Sequence, residues 1–513
     1  MNIQPILNSQ QFPRSASDKI RSGDPRYADL VNRGFNKRFA GKPDYVRLVG
    51  TTEQVLDALQ EAVRDNLRVV ARSGGHCLEG FVADPAVQVI IDTSLMSSVY
   101  YDSAMGAFAV EAGATLGEVY RKLFFGWGVT IPAGISPDIG VGGHILGGAF
   151  GFLCRQYGLA VDYLYAIEVV VVDKTGTVRS IVATREITDP NRELWWAHTG
   201  GGGGNFGIVT RYWFRSPEAK GTNPAGLLPK APDSMLRFKM DWNWQDFNET
   251  AFTQLLHNHG YWCETNSEAG SPNAELYSTL VIGRRPYGKL ELTGVITARP
   301  EEAERLLYEH LTALNTGLKM SYTREVDYPS WLAFALNPSL DLVAQVSKGA
   351  IFKLKDAFLR KRLTDRQIEV AYRYLTRTGQ DVPGGTLGMA TYGGKTNTVA
   401  PDATASAQRD SIITMSCATG WVEPKDEAQN LDWVRQFYRE LFSDTGGVPM
   451  PGETSSGALI NHPDIDLADP VWNTSGIPWY TLYYQNNYPR LQQIKARWDP
   501  LNVFHHTLSI HPS

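Results

Sequence analysis

The sequence predicts an α+β protein with two domains, the second of which is an antiparallel sheet covered by helices. The chain has 513 residues, which is more than a single hydrophobic core usually organises. Its first 215 residues alternate between strand-like and helix-like segments, as in layered α/β or α+β domains. From about residue 216 the segments become longer and glycine becomes sparse, which indicates a second structural unit.

The first predicted domain rests on a helix and the apolar segments that follow it. Residues 55–66 (VLDALQEAVRDN) carry apolar side chains at helical spacing. Two short apolar runs follow, RVVA at 68–71 and VQVII at 87–91, and their β-branched residues are typical of strands. Helices and strands that alternate in this way build a layered domain.

The second predicted domain contains longer amphipathic helices with strands between them. Residues 251–261, 301–314 and 364–377 each place apolar side chains on one helical face. Residues 276–281 (LYSTLV) and 411–417 (SIITMSC) have the composition of strands. We expect a sheet with helices on one face.

Composition excludes several classes of protein. The net charge is −5 and no run of Lys or Arg stands out, so we expect no nucleic-acid partner. The cysteines, Cys77, Cys154, Cys263 and Cys417, lack CxxC spacing, which argues against a zinc site or a disulfide framework and favours a reducing compartment. The N-terminus lacks the apolar region of a signal peptide, and no run of about 18 apolar residues is present. We therefore expect a soluble, cytoplasmic protein without a membrane partner.

Glycine interrupts the first domain in three segments, at residues 73–75, 140–148 and 200–204. The consecutive glycines at 200–204 are unfavourable in helix and strand alike, because glycine loses more backbone entropy on ordering than other residues. A glycine-rich turn after a strand lets backbone N–H groups approach a phosphate, although one such turn alone is more often an ordinary tight turn. Three in one domain favour a bound cofactor. No GxGxxG with a later acidic residue follows the first strand, so a Rossmann fold is not predicted.

Five motifs occur in order along the chain. They are RSGGH at 72–76, PxxGVGGH at 137–144, GxxCRxYGLAxDY at 151–163, ELWWAHTGGGGGNFGIVT at 193–210 and YYxxNYPRLxxxKxxWDPxNVF at 483–504. Together they resemble the berberine-bridge-enzyme-like FAD oxidases, which have the vanillyl-alcohol-oxidase (PCMH-type) flavoprotein fold. The resemblance runs from about residue 40 to the C-terminus. Within the family, the chain is most similar to bacterial natural-product oxidases such as those acting on glycopeptides and anthracycline sugars.

This resemblance implies an FAD cofactor and a particular division of the chain. Residues 1–215 form the N-terminal part of the FAD-binding domain, residues 216–465 form the substrate-binding domain, and residues 466–513 return to the FAD-binding domain. The resemblance also implies that His76 is bonded to the 8α-carbon of the flavin. A neutral imidazole nitrogen is nucleophilic, and the Gly-Gly turn before it gives the ring access to the flavin edge. Taken alone, His76 would be an ordinary turn histidine.

The resemblance assigns further residues to the flavin site, from the glycine segments and the C-terminal motif. Besides His76, the predicted FAD-binding residues are Arg72, Ser73, Gly74, Gly75, Ser136, Gly140, Val141, Gly142, Gly143, His144, Gly147, Gly207, Ile208, Val209, Tyr484, Asn487 and Asn502. No metal site is predicted.

The sequence departs from the family where many relatives carry a second covalent tether. That tether is a cysteine bonded to the flavin 6-carbon, and Ser136 stands in its place. A hydroxyl is protonated at ordinary pH and is a much weaker nucleophile than a thiolate, so we predict a single covalent link. Cys154 is an alternative tether, but the motif places it beyond the loop that faces the flavin. We expect Cys154 to be a core residue and the flavin to be less oxidising than in doubly linked relatives.

A second departure concerns the catalytic base. Relatives carry a tyrosine in an NYPDxDL segment that takes the substrate hydroxyl proton, and here His462 replaces it. An imidazole with a reference pKa near 6.5 is a competent base at neutral pH. Equally, His462 could line the pocket while another group acts, and Tyr392, which matches a second active-site tyrosine of some relatives, is the first alternative. Phe150 replaces a tyrosine of the hexose oxidases, which points to a different substrate.

The leading functional hypothesis is oxidation of an alcohol or hemiacetal carbon on a sugar-bearing or other secondary metabolite. The partners would be a small-molecule substrate and dioxygen, with H₂O₂ as the reduced product. A second hypothesis keeps the flavin but forms a C–C or C–O bond or closes a ring. A third is a flavin-binding protein without turnover, since Ser136, Phe150 and His462 all depart from the family. The substrate and the oligomeric state are not predicted by the sequence.

Overall fold

The computed structural model describes residues 18–315, 317, 322–337 and 351–513. These residues form three sheets with helices packed around them, and the predicted α+β class is confirmed. No helix in this described part of the chain is long and apolar enough to cross a membrane.

Four short strands form the first sheet. They are β1 (Lys19–Ile20), β2 (Tyr45–Leu48), β3 (Val69–Arg72) and β4 (Val89–Asp92). Their order is β1-β2-β4-β3, with β4 parallel to β2 and β3 and with β1 antiparallel to β2. Helix α1 (Tyr27–Val31) precedes β2, and helix α2 (Thr52–Arg64) connects β2 to β3. The helix and the strands predicted over residues 55–91 are therefore present.

Five antiparallel strands form the second sheet. They are β5 (Val99–Asp102), β6 (Ala107–Glu111), β7 (Leu164–Val172), β8 (Val178–Thr184) and β9 (Ile208–Phe214), in the order β5-β6-β9-β7-β8. Helices α3 (Leu116–Trp127), α4 (Val141–Leu146), α5 (Cys154–Tyr157) and α6 (Arg192–Ala197) lie in the connections. Apolar residues of β7 and β9 pack against α2 in one shared core.

The glycine-rich segment at 140–148 contains a helix, although glycine disfavours helices. Helix α4 begins where the N–H groups of Val141 and Gly142 donate to the carbonyls of Ala114 and Ala112. The buried side chains of Val141, Ile145 and Leu146 then anchor it in the core. Tertiary packing thus overrides the local preference of Gly142 and Gly143 within the helix.

Eight antiparallel strands form the third sheet. They are β10 (Leu236–Trp242), β11 (Leu276–Gly283), β12 (Leu290–Ile296), β13 (Tyr322–Asp327), β14 (Ile351–Leu359), β15 (Thr386–Thr391), β16 (Ile413–Trp421) and β17 (Ser455–Gly457). Their order is β13-β10-β12-β11-β15-β16-β14-β17. Helices α7 (Glu249–Asn266), α8 (Pro300–Leu314), α9 (Trp331–Ala335), α10 (Asp365–Thr376) and α11 (Glu427–Leu441) belong to the same part of the chain. The predicted antiparallel sheet and its amphipathic helices are present.

The last part of the chain packs against the first two sheets. Helices α12 (Trp479–Tyr484) and α13 (Tyr488–Trp498) follow the third sheet in the chain. Arg490 pairs with Glu193 at 2.6 Å, and the buried Lys495 donates to the carbonyl of Asn205. These contacts join the C-terminal helices to residues among the first 215, and the return of residues 466–513 to the FAD-binding domain stays a prediction. The boundaries at residues 215 and 465 remain predictions.

Candidate active site

A large cavity lies between the glycine segments of the first two sheets and one face of the third sheet. Its volume is about 410 Å³, and its lining includes residues 69–78, 202–204 and 460–463. Volumes of this order are typical of cofactor and ligand sites. The cavity therefore connects the segments that the sequence singles out.

The first and second glycine segments touch each other through their backbones. A Cβ atom on Gly140 would lie 2.1 Å from the backbone N of Gly74 and 2.2 Å from Oγ of Ser73. A Cβ atom on Gly74 would likewise lie 2.3 Å from the backbone N of Gly140. Side chains are thus excluded from this contact, while Gly143 next to it has open space around it. The two segments form a backbone-lined cradle on the cavity wall.

A buried arginine lies beside this cradle. The Nε of Arg72 donates to Asp92 at 2.7 Å, and Arg33 donates to both oxygens of the same carboxylate and to the carbonyl of Ser73. The NH2 group of Arg72 is buried without a hydrogen-bond partner among the described residues. Burial lowers the pKa of Arg72, although the Asp92 carboxylate opposes that effect. A buried, unpaired guanidinium donor on a cavity wall fits an anionic ligand.

His76 is held at the cavity wall by an aromatic contact. Its ring stacks on Phe35, with ring centroids 4.2 Å apart and planes inclined by 12°. The backbone N–H of Phe35 donates to the carbonyl of Gly75, whose φ of 79° places the chain in a region that glycine tolerates. The turn and the stacking partner together present the imidazole to the cavity.

The third glycine segment closes the cavity from another side. His506 donates from Nε2 to the carbonyl of Gly203, while its Nδ1 accepts from the backbone N–H of Leu508. Burial lowers the pKa of His506 to about 4, in agreement with this neutral form. Its ring stacks on Phe81 at 4.1 Å. His506 thus attaches this segment to the cavity wall, where Gly202, Gly203 and Gly204 are part of the lining.

His144 is a second neutral imidazole on the cavity lining. The backbone N–H of Gly134 donates to its Nε2 at 2.9 Å, so the proton lies on Nδ1. Burial lowers the pKa of His144 to about 3, and the nearby His462 and His76 contribute in the same direction. Asn461 donates to the carbonyl of His144 and thereby links helix α4 to the loop that carries His462. At neutral pH His144 is a hydrogen-bond donor to the cavity and carries no charge.

His462 lies where the cavity meets strand β14. Its Nδ1 is 3.5 Å from Oδ2 of Asp356, and its ring stands edge-on to Phe150 with centroids 5.9 Å apart. Burial raises the pKa of the Asp356 carboxyl, while contact with His462 acts in the opposite direction. Oδ1 of Asp356 has no hydrogen-bond partner in the described part of the chain. A carboxylate at Nδ1 orients an imidazole and leaves Nε2 to accept a proton.

Tyr392, the alternative base, is fully buried outside the cavity lining. Its ring packs against Phe150 at 5.8 Å and against Phe358 at 5.2 Å. Burial raises its pKa well above the ordinary value, so its hydroxyl stays protonated at neutral pH. This position does not favour Tyr392 as a proton acceptor.

The residues considered for a second tether occupy different places. Ser136 is buried and lines the cavity. Cys154 is fully buried in α5 away from the lining, and burial raises its thiol pKa to about 12. Cys77 lies next to His76 on the lining, and burial raises its pKa to about 11. Both thiols are therefore protonated and weakly nucleophilic at neutral pH.

Most of the predicted FAD-binding residues meet on the cavity lining, and four do not. The residues that line it are Arg72, Ser73, Gly74, Gly75, His76, Ser136, Gly140, Gly142, Gly143, His144, Gly147, Gly207, Ile208 and Val209. Val141 is buried in the core beneath them. Tyr484 donates to the carbonyl of Gly201, and Asn487 donates to the carbonyl of Pro401. Asn502 has a left-handed backbone and a buried Oδ1 without a described partner.

The floor of the cavity is a part of the site that sequence reasoning missed. Strand pairing sets Asp356 opposite Ser416, Ser416 opposite Gly388, Gly388 opposite Val281, and Val281 opposite Glu291. All five line the cavity, so they form one row across neighbouring strands. A second row on the same face consists of Thr414, Ala390, Thr279 and Thr293. Strand alternation was the available signal, but register between strands cannot be read from one sequence.

The residues present fit an FAD cofactor. The cradle of Gly74 and Gly140 admits only backbone, and the unpaired guanidinium N–H of Arg72 supplies a buried donor for a phosphate oxygen. His76, Ser136 and His144 continue the lining from this cradle toward His462.

Replacing Gly140 by alanine should disrupt the cradle. Since the new Cβ would meet the backbone of Gly74, the two segments must separate, and we expect destabilisation of about 1–3 kcal/mol together with lost flavin content. Thermal unfolding and the flavin-to-protein absorbance ratio measure both effects. The matched control is Gly126→Ala, an exposed helical position with open space, which should keep full flavin content. Unchanged stability and flavin content in Gly140→Ala would contradict the role of the cradle.

Comparisons with known proteins identify relatives over the whole chain. The family described as "FAD binding domain" matches residues 43–181, and the family described as "Berberine and berberine like" matches residues 458–511. Aclacinomycin-N/aclacinomycin-A oxidase of Streptomyces galilaeus is 51% identical, over 97% of this chain and 90% of that protein. Hexose oxidase of Chondrus crispus is 31% identical, over 95% of this chain and 93% of that protein.

A solved structure shows the same fold. The crystal structure of a glycopeptide hexose oxidase complexed with teicoplanin is similar with a TM-score of 0.93 and 50% identity, and the match covers 98% of this chain and 100% of that one. The vanillyl-alcohol-oxidase (PCMH-type) fold predicted from the sequence is thereby confirmed. The chain belongs to the berberine-bridge-enzyme-like FAD-linked oxidases.

Proposed function

We propose that this enzyme holds FAD through a single covalent bond to His76 and oxidises a CH–OH carbon of a sugar-bearing secondary metabolite, with dioxygen as electron acceptor. The observation that carries this proposal is the shared cavity, which has the glycine cradle and His76 on one side and the His462–Asp356 pair on another. A cofactor in the first part would therefore lie beside a proton acceptor in the second.

The residues around the cradle account for cofactor binding. Arg72 and the backbone of Gly74 and Gly140 would hold the pyrophosphate, and His76 would carry the flavin ring. FAD held there would supply a two-electron acceptor for the substrate carbon, with O₂ as the final acceptor and H₂O₂ as its reduced product. Ser136 supports a single bond, because a protonated hydroxyl is a poor nucleophile compared with an imidazole nitrogen.

The His462–Asp356 pair accounts for proton removal. Oδ2 of Asp356 lies 3.5 Å from Nδ1 of His462, and both residues line the cavity, so the carboxylate would orient the ring and Nε2 would be the proton acceptor. His462 would take the hydroxyl proton at Nε2 while hydride leaves the same carbon, so that an alcohol becomes a carbonyl. Phe150, edge-on to the imidazole, restricts its rotation and excludes water on that side.

The cavity floor supports an extended substrate. Its two rows contain Gly388, Ala390, Ser416 and three threonines, which are small side chains that leave room above the sheet. Four strand spacings of about 4.8 Å separate Asp356 from Glu291, which gives a floor of about 19 Å. Hydroxyls from Ser416 and Thr279 would bind sugar oxygens along this floor. The relatives named for aclacinomycin and for hexose oxidation agree with such a substrate class.

An oxygen-dependent assay tests the proposal. We would incubate the FAD-loaded enzyme with D-glucose, aclacinomycin A and teicoplanin, and measure H₂O₂ together with product mass. The expected result is one H₂O₂ per product that has lost two hydrogens and reacts with hydroxylamine as a carbonyl. A product with the same mass loss but without a carbonyl would support oxidative bond formation or ring closure instead. Absence of flavin reduction by every compound would favour a binding protein without turnover.

Replacing Asp356 by asparagine should weaken the base without abolishing it. The loss of the carboxylate removes a charge that stabilises the imidazolium, so we expect kcat/KM to fall about 10- to 100-fold and its acid limb to move to lower pH. The measurement is kcat/KM from pH 5 to 9. The control is Asp410→Asn, which removes a partly exposed carboxylate that pairs with Arg360. If Asp356→Asn has the wild-type profile, the proposed pairing is wrong.

A further inference from the structure

Six charged side chains form a buried cluster behind the cavity, and the proposed reaction uses none of them directly. This six-charge cluster consists of Lys353, Lys355, Arg435, Glu79, Asp464 and Asp466. The side chain of Arg435 is 23% exposed, and the other five are at most 3% exposed. Three positive and three negative charges leave the cluster neutral.

The contacts within the cluster are direct. Nζ of Lys353 contacts Oε1 of Glu79 and lies 2.7 Å from Oδ1 of Asp464. Nζ of Lys355 contacts the other oxygen of Asp464 and lies 2.9 Å from Asp466. Arg435 of helix α11 donates to both oxygens of Asp466 at 2.8 and 3.0 Å. Each charge therefore has an opposite partner, as buried ions require.

The cluster joins the three segments that carry the site. Glu79 follows His76 by three residues, and Asp464 follows His462 by two. Lys353 and Lys355 flank Leu354 and precede Asp356 on β14. Because side chains alternate along a strand, Leu354 and Asp356 line the cavity while Lys353 and Lys355 point to the other side, where Nζ of Lys355 lies 4.9 Å from the ring centroid of Tyr438 in α11. Lys353 thus pairs with Glu79 from the loop after His76 and with Asp464 from the loop after His462, and we refer to these two segments as the histidine loops.

We propose that the six-charge cluster is a positioning element for the site, which fixes both histidine loops on β14 and whose charge balance sets the protonation of the His462–Asp356 pair. Replacing buried ion pairs by apolar residues is often neutral or stabilising, so stability alone does not account for six buried charges. The role of the six-charge cluster in catalysis rests on the proposed function. The electrostatic effect of the cluster on His462 does not depend on which reaction the enzyme catalyses.

The charged and titratable groups that face His462 define what the experiment must hold constant. Asp356 faces it from β14, and the neutral His144 faces it from α4. Behind Asp356 lies Asp464 of the cluster, which raises the pKa of Asp356. The variants therefore leave Asp356, His144 and Asp464 unchanged and alter only the outer members of the cluster.

The test compares two single variants that change the charge of the cluster in opposite directions with their double variant, all in the FAD-loaded full-length enzyme. Glu79→Gln gives the cluster a charge of +1, which opposes an imidazolium at His462, and Arg435→Gln gives −1, which favours one. For a unit charge at a separation of about 10 Å and an effective dielectric constant of about 20–40, Coulomb's law gives a titration shift of about 0.6–1.2 pH units. We expect the midpoint of the His462 Cε1–H NMR signal to move down in the first variant and up in the second. The double variant, again neutral, should restore it.

Controls separate this effect from a loss of structure. The signal is identified by its disappearance in His462→Ala, and Glu453→Gln removes an exposed carboxylate of the Lys361 pair and should shift nothing. Asp466→Asn gives a second +1 variant should Glu79→Gln not fold. Unchanged midpoints, shifts in the same direction, or a double variant that is not restored would overturn the proposal. Retained activity in His462→Ala would instead overturn the proposed base and leave the NMR result valid.

Discussion

Replacing His462 by alanine is expected to lower kcat/KM by about 10²- to 10⁴-fold while the enzyme keeps its full flavin content. A positioned general base contributes an acceleration of this size, and His462 is the imidazole that a buried carboxylate orients toward the cavity. The residue is half-buried on the lining, so its removal leaves the core intact. Initial rates of H₂O₂ release and the flavin absorbance measure the two quantities.

The matched variant is His462→Tyr, which introduces the tyrosine that the resemblance to the family implies at this position. A phenol needs a higher pH to lose its proton, so activity should return at the alkaline end of the profile. A loss smaller than about threefold in His462→Ala would show that another group removes the proton. In that case the buried Tyr392, whose pKa is raised by burial, would require a rearrangement that brings it to the cavity.

Replacing His76 by alanine is expected to abolish covalent attachment of the cofactor. The wild-type polypeptide should remain yellow after acid precipitation, whereas the His76→Ala polypeptide should be colourless and have its unmodified mass. The physical reason is that an imidazole nitrogen is nucleophilic in its neutral form, whereas burial raises the thiol pKa of the neighbouring Cys77 to about 11 and keeps that thiol protonated.

Two control variants test whether a residue other than His76 carries the covalent bond to the flavin. Ser136→Ala and Cys77→Ala both alter residues of the cavity lining, and both should retain the bound flavin after denaturation. Retention of colour in His76→Ala would locate the bond elsewhere. Loss of colour in Ser136→Ala or Cys77→Ala, with His76 unchanged, would contradict the proposed tether equally directly.

The sequence identified the parts of the site that are encoded locally. The glycine segments, His76 and His462 lie in short contiguous motifs, so the motif alone was enough to predict them as site residues. Most of their neighbours in the motifs line the cavity, because a glycine turn places several consecutive backbone groups on one surface. The amphipathic helices and the strands between them followed from periodicity for the same local reason.

The parts that were missed depend on pairing between distant residues. Lys353 reaches Glu79 across 274 positions of the chain, and Asp356 meets His462 only because β14 lies beside the loop at 460–463. Tyr484 and Asn487 stand in a motif yet support carbonyls of other loops, away from the lining. A motif gives the residue types and their spacing along the chain, whereas tertiary packing sets the direction in which each side chain points.

Peptide mapping of the acid-denatured wild-type protein tests the central claim most directly. After proteolysis, the mass of one FAD should be found on a single peptide, the one that contains His76, and the intact polypeptide should be heavier by one FAD. Release of all flavin on denaturation, or its recovery on the peptide with Ser136 or Cys154, would contradict the account.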